Sequence, residues 1–288
     1  MPLRLQFALI LLVPLAVLAA VIYASSQYPS PQLGNGYSLR VKLPPAGEKI
    51  GLPKVLGPPD KSRPLIVIDA GHGGHDPGAG AGELKEKMVT LSLARALRDE
   101  LLDAGGIRVA MTRDDDRYLM LGERSSIARR LNADLFLSIH ADSVDREEAS
   151  GASVYTLSEK GSNQVAANMA VRENRADEVN GVDLAETSDT VGDILLDLSQ
   201  RETHAHSDQF ARLILREIKG KMRLHDDTVQ SAAFVVLKSA DLPSVLFETG
   251  YISNPDDADF LSSERGRAEI AKAAAKAIRV YFVRQAGV

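Results

Sequence analysis

Cysteine is absent from this 288-residue chain. That excludes thiolate metal sites, cysteine nucleophiles and disulfides, and it leaves cysteine usage silent on the redox compartment. Any metal site must draw on His, Asp and Glu, a donor set that suits a catalytic zinc better than a structural one. A basic face is missing too. The chain has 34 Lys and Arg against 39 Asp and Glu, with the signs interspersed and a formal net charge of −5. A nucleic-acid binder needs a basic face for its phosphate contacts, so that class is excluded. No HExxH occurs, which removes the helical zinc-protease layout. There is no internal repeat.

What is present is a composition for a sizeable core. Apolar residues make up 44% of the chain. The length allows one medium-sized catalytic domain plus an extension. The extension is N-terminal. Arg4 precedes an apolar run from Leu5 to Ala24, broken only by Gln6 and Pro14. Residues 1–24 read as a signal peptide or a membrane anchor, and Ala19, Ala20 and Ala24 leave cleavage open. The charge flank puts the rest of the chain outside the cytoplasm in either case, in the periplasm or on the outer face of the membrane. Residues 25–63 are rich in proline and glycine and read as a linker or loosely ordered arm.

Order is expected from Pro64, in a catalytic domain over 64–288. Leu65 to Asp69 is a short apolar, β-branched run ending in a glycine-rich stretch, the pattern of a buried strand entering a loop. A helix is expected over about Lys87–Leu102, with Val89, Leu93, Ala96, Leu97 and Leu101 on its apolar face. A strand over Ile107–Thr112, a helix over Leu121–Leu131 and strands over Leu135–Ile139 and Ala152–Leu157 follow. Residues 158 to about 222 read as largely helical with a polar break near Gly181. Phe234–Leu237 and Ser244–Phe247 read as strands, and about Arg265–Val283 as a final helix. The alternation predicts an α/β three-layer sandwich, a central mixed and mostly parallel sheet flanked by helices.

In open α/β sheets, sites form beyond the carboxyl ends of the strands. His72, His140 and Glu248 each stand just past such an end, and Glu86 precedes the first helix. A catalytic zinc takes three protein ligands and keeps a position for water, whose proton it loosens. Two histidines and a glutamate fill that set. One more carboxylate is then needed to take the proton and pass it to the leaving nitrogen. Each residue alone has an ordinary explanation: a strand-end His is often packing, and Glu86 suits a helix N-terminus. Glu248, directly after Val245-Leu246-Phe247, is costly to bury unless paired or functional. The pattern is that of a His/Glu metal hydrolase. His75 reads as a cleft or surface-loop residue. His204 and His206, two apart on a helix, face different sides and suggest no second metal site. His225 reads as a surface turn residue.

Four ordered motifs carry a resemblance: Ile68-Asp69-Ala70-Gly71-His72-Gly73-Gly74, Glu86-Lys87, Ser138-Ile139-His140-Ala141-Asp142, and Phe247-Glu248-Thr249-Gly250-Tyr251-Ile252-Ser253-Asn254. Over about Pro64–Val283 the chain resembles the zinc N-acetylmuramoyl-L-alanine amidases. The resemblance implies zinc (Zn2+) held by His72, Glu86 and His140, with Glu248 as the catalytic carboxylate. It implies hydrolysis of the bond joining N-acetylmuramic acid to L-alanine in peptidoglycan. The long segment 158–207 is similar to that of the cell-division amidases. There an inserted helix blocks the site until a LytM-type activator binds. By that likeness Glu173, in Glu173-Asn174-Arg175-Ala176-Asp177, is expected as an inhibitory fourth ligand. Val191, Ile194, Leu195 and Leu198 are expected as the activator's docking face. No β-rich targeting module is seen, so inner-membrane anchoring is the expected source of localisation. Two other readings compete: a zinc carboxypeptidase or peptidase on the stem peptides, and an inactive wall-binding or regulatory protein. The last would show loss of a ligand or of the catalytic glutamate, and neither is lost.

Overall fold

The computed structural model describes residues 51–288 except 82–83, 144–148, 180–181, 184–192, 240 and 288. For 81, 178–179, 182–183 and 193–200 it describes the backbone alone. The expected export segment, most of the expected linker, Gly181 and Val191 lie outside the described residues. So do the side chains of Ile194, Leu195 and Leu198. Among the described residues no helix is long and apolar enough to cross a membrane.

The first half of the domain runs β1 (Leu65–Ala70), β2 (Gly80–Ala81), β3 (Leu84–Lys85), α1 (Glu86–Ala104), β4 (Arg108–Met111), α2 (Leu121–Arg130), β5 (Leu135–His140) and β6 (Ser153–Leu157). The second half runs α3 (Gln164–Asn174), β7 (Glu178–Val179), β8 (Val182–Asp183), α4 (Asp193–Ile218), β9 (Gln230–Ala232), β10 (Ser244–Glu248), α5 (Pro255–Ser262) and α6 (Glu264–Gln285). Six strands form one sheet in the order β4-β1-β5-β10-β6-β9. β4, β1, β5 and β10 are mutually parallel, β6 is antiparallel to β10, and β9 runs parallel to β6. The mixed, mostly parallel sheet is the one expected.

Strand alternation sorts the core into two layers. Ile66, Ile68, Leu137, Ile139, Val245 and Phe247 pack with Val89, Leu93 and Leu97 of α1, Phe210 and Ile214 of α4, and Ala274 and Ile278 of α6. Leu65, Val67, Phe136 and Leu246 pack with Leu121 and Ala128 of α2 and Met169 of α3. Both faces are covered, which is why these strands read as unbroken apolar runs.

Several sequence expectations are corrected. Order begins before Pro64: Leu56 exchanges backbone hydrogen bonds with Val109 of β4, at 2.8 and 3.0 Å. Phe234–Leu237 is not a strand. Val235–Leu237 form a 3-10 turn, because the Val235 amide is taken by the Asn174 side chain at 2.9 Å and not by a neighbouring strand. Phe234, Val236 and Leu237 are buried all the same, so β propensity was overridden by packing. The short strand β9 lies just before it. Within the largely helical stretch 158–222, β7 and β8 pair on either side of residues 180–181, at the expected break. α4 then runs unbroken from Asp193 to Ile218, across residue 207. α5 was not expected, although Asn254 caps the Asp256 and Asp257 amides and Pro255 opens its first turn, a sequence-level start signal.

One polar cluster is buried inside this frame. Asp69 accepts from Thr112 Oγ1 at 2.6 Å, Ser138 Oγ at 2.7 Å and Arg124 Nη1 at 3.1 Å. Burial pushes its pKa up, but Arg124 and the two hydroxyls more than reverse that, holding it below the ordinary 3.8. Asp69→Ala leaves Arg124 buried without its carboxylate, an expected loss of about 3–5 kcal/mol in urea unfolding. Because folding lowers this pKa, the wild-type contribution is whole above 3.8 and is lost as pH falls through the lower folded value. Wild-type stability in Asp69→Ala at pH 7 would refute the assignment.

Candidate metal centre

The loop after β1 carries the first donor. His72 has φ +58°, in the left-handed region that side chains rarely adopt. The sharp turn is held from behind by two buried arginines. Arg124 donates to the carbonyls of Ala70 at 2.8 Å and His72 at 2.9 Å. Arg113 donates to those of Ala70 at 2.9 Å and Gly71 at 2.8 Å. Gly71 is required by a close approach: a Cβ there would lie 2.5 Å from His140 Cε1.

Glu86 is the first residue of α1 and is fully buried. Its Oε2 accepts the Ala79 amide and its Oε1 the Ala141 amide, both at 2.9 Å. His140 ends β5, and parallel register sets Glu248, the end of β10, directly beside it. The expected convergence of four strand-end and helix-start residues is therefore present. Glu173, in the last turn of α3, joins them.

The donor atoms face one another. His72 Nε2 lies 3.0 Å from Glu86 Oε2 and 3.4 Å from Glu173 Oε2. His140 Nδ1 lies 3.1 Å from Glu86 Oε1 and 3.0 Å from Glu173 Oε2. One ligand atom from each of the four residues lies within 4.8 Å of the others. His72 Nε2 and Glu173 Oε2 are buried without a hydrogen-bond partner among the described residues. Buried polar atoms are rarely left so, and two imidazole nitrogens with carboxylate oxygens are the donors zinc accepts. The residues fit a divalent cation.

The electrostatics point the same way. Burial disfavours charge on both histidines, yet the facing carboxylates outweigh it. Glu86 is the strongest influence raising His72, well above the ordinary imidazole value. Glu173 foremost carries His140 up to about 10. Burial likewise opposes ionisation of Glu86 and Glu173, but the imidazoles hold Glu86 well below its usual value and Glu173 down to about 2. The cluster attracts positive charge, and a bound cation would displace the protons the histidines hold. Glu248 behaves oppositely. Burial pushes its pKa well up; His140 opposes this, while Glu173, Asp142 and Glu86 reinforce it. Its Oε2 accepts the Asp142 amide at 3.2 Å, and its Oε1 has no partner.

Two acidic residues of the site escaped the sequence reading. Asp76 hydrogen-bonds His72 Nδ1 at 2.8 Å, and its position four residues after a candidate donor was the available signal. Asp142, two residues after His140, pairs with Arg172 of α3. His75 is exposed and stacks on Tyr118 with ring centroids 4.1 Å apart, outside the donor group. His204 and His206 lie on α4 and are likewise not donors. His225 is exposed and packs against Tyr251 at 5.2 Å.

A family model described as N-acetylmuramoyl-L-alanine amidase matches residues 66–280. The chain is 42% identical over 220 residues to N-acetylmuramoyl-L-alanine amidase AmiA of Escherichia coli (strain K12), covering 76% of each chain. It is 40% identical over 222 residues to N-acetylmuramoyl-L-alanine amidase AmiC of Neisseria meningitidis serogroup B (strain ATCC BAA-335 / MC58), covering 76% of this chain and 53% of that one. Among solved structures, N-acetylmuramoyl-L-alanine amidase AmiC2 of Nostoc punctiforme aligns at TM-score 0.54 and 29% identity, over 76% of this chain and 97% of that one.

The tight passage between Gly71 and the His140 ring yields a prediction. In Gly71→Ala the new methyl group must push the imidazole aside, a strain of about 1–3 kcal/mol. Zinc affinity, measured by competition with a chromophoric chelator, should fall roughly tenfold or more with the far-ultraviolet circular dichroism unchanged. Unaltered affinity would mean that His140 is not held where the cation binds.

Proposed function

The chain belongs to the N-acetylmuramoyl-L-alanine amidase family, and we propose that it cuts the bond between N-acetylmuramic acid and L-alanine in peptidoglycan with zinc held by His72, Glu86 and His140. The observation that carries the metal reading is the buried convergence of these donors with Glu173, where His72 Nε2 and Glu173 Oε2 find no hydrogen-bond partner among the described residues. Zinc, when bound, supplies Lewis-acid polarisation of the scissile carbonyl and acidifies the attacking water.

Glu248 manages the proton. Its unpartnered Oε1 is the atom available to take a proton from that water and deliver it to the L-alanine nitrogen as the amide bond breaks. A carboxylate pushed upward by burial holds such a proton readily. The Asp142 amide fixes the other oxygen, so the side chain stays aimed between the two reacting groups.

We further propose that α3 keeps the site closed. Glu173 fills the position a substrate oxygen needs, and the helix is pinned around it. Arg172 pairs with Asp142. Asn174 bonds the Ala233 carbonyl and the Val235 amide, each at 2.9 Å. Asp177 accepts the Leu121 amide at 3.0 Å and the Tyr118 hydroxyl at 2.8 Å. These are polar bonds that a competing surface can replace. The exposed Val165 and Val171 offer apolar contact on the same helix. The partner assigned here is a LytM-type activator acting on 158–207. Residues 1–24 serve export or anchoring, and the physiological role is wall remodelling and daughter-cell separation.

Purified peptidoglycan with zinc should yield intact stem peptides, identified by mass spectrometry. Glu248→Gln should lower kcat by about 10²–10⁴-fold while zinc binding persists. Shortened stems in place of intact ones would indicate a peptidase. Deleting residues 172–198 should raise basal activity about tenfold or more, since the competent state becomes the populated one. Unchanged or lower activity in a folded deletion would count against closure by α3.

A further inference from the structure

The two histidines reach the metal centre through different nitrogens. His140 presents Nδ1, and its Nε2 is buried without a partner. Its ring is located by the end of β5 and by the bare backbone of Gly71. His72 presents Nε2 and lies in a loop, where no regular element fixes the ring. What it has behind it is a carboxylate. Asp76 Oδ2 is 2.8 Å from His72 Nδ1.

That carboxylate is itself held. Its Oδ1 accepts the Gly78 amide at 3.0 Å. Gly73 and Asp76 exchange backbone hydrogen bonds at 3.0 and 3.1 Å. The turn also closes against the ligands: a Cβ at Gly78 would lie 2.6 Å from His72 Cδ2 and 2.7 Å from Glu86 Oε2. Asp76 thus stands on a turn closed by its own backbone hydrogen bonds.

A neutral imidazole carries hydrogen on one nitrogen and a lone pair on the other, and the partner of the first decides which. An acceptor at Nδ1 places the hydrogen there and leaves Nε2 free to ligate. Resting on the metal reading above, we infer that Asp76 is a positioning residue: it holds His72 as the Nδ1–H tautomer and turns Nε2 toward the cation. It also raises the basicity of that nitrogen by accepting the hydrogen on the far side of the ring. Among the described residues no such carboxylate stands behind His140 Nε2, so the two ligands are unequal, and His72 is the one whose donor strength can be changed by a neighbour that does not itself touch the cation.

The test uses the full chain, wild type, Asp76→Ala and Asp76→Asn. Zinc affinity is measured by chelator competition, and the His72 ring nitrogens are followed by 15N NMR in the zinc-loaded protein. In the wild type a slowly exchanging Nδ1 hydrogen is expected. Asp76→Ala should lose that protection and weaken zinc by about 10- to 100-fold. Asp76→Asn, whose amide oxygen can still accept, should keep the Nδ1 hydrogen and lie between the two. Thermal unfolding of the metal-free proteins identifies any loss that is only structural. Wild-type zinc binding with unchanged affinity and Nδ1 protection in Asp76→Ala overturns the positioning role alone. A wild type that binds no zinc overturns the metal reading and this inference with it.

Discussion

The site depends on one constraint: a backbone that turns sharply in the interior must find donors for its carbonyls. Leaving β1, the chain gives up the sheet within three residues, and Ala70, Gly71 and His72 point their oxygens inward. Arg113 and Arg124 supply the missing hydrogen bonds. Arginine suits the task because one planar group can serve several carbonyls at once. Burial pulls Arg113 down to about 10, opposed chiefly by Asp69, so it remains charged at neutrality. Asp69 also faces Arg124 as counter-charge. The unusual His72 backbone rests on this buried polar frame.

Parallel register does the remaining placement. β5 and β10 are neighbours, so residues at equal height lie side by side on the same face, and His140 meets Glu248 without any loop being asked to hold either. Sites built on strands are set more closely than sites built on loops. The loop-borne His72 is the exception, held by Asp76 at its ring and by Arg124 at its carbonyl. The two imidazoles arrive at one point, and Glu86, tied to two backbone amides, joins them from a helix start.

Much of this was legible in the sequence because the strands are buried on both sides and end in polar residues. Leu65 to Asp69, Leu135 to His140 and Ser244 to Glu248 each announce a strand and a site residue together. The arginines were not legible: nothing in Thr112-Arg113-Asp114 or Glu123-Arg124-Ser125 separates a buried guanidinium from a solvated one, since the carbonyls it serves lie dozens of residues away. The 3-10 turn at Val235–Leu237 was misread because apolar, β-branched residues look alike whether a strand or a side-chain amide takes their N–H. The start of α5 was legible in Asn254-Pro255 and overlooked. Glu173 stood out only through likeness to relatives, because a glutamate among polar helix residues has no pattern of its own.

α4 joins two unlike surroundings. Near its C-terminal end Phe210, Leu213, Ile214 and Ile218 are buried in the core, while Arg201, Glu202, His204 and Ala205 are exposed. Its 26 residues make a rod about 39 Å long. In chain order it follows the β7–β8 hairpin, which follows α3. A hydrogen-bonded helix transmits displacement along its axis where a coil would absorb it. The segment that follows α3 in chain order therefore returns to the domain as one continuous helix whose C-terminal part is anchored in the core.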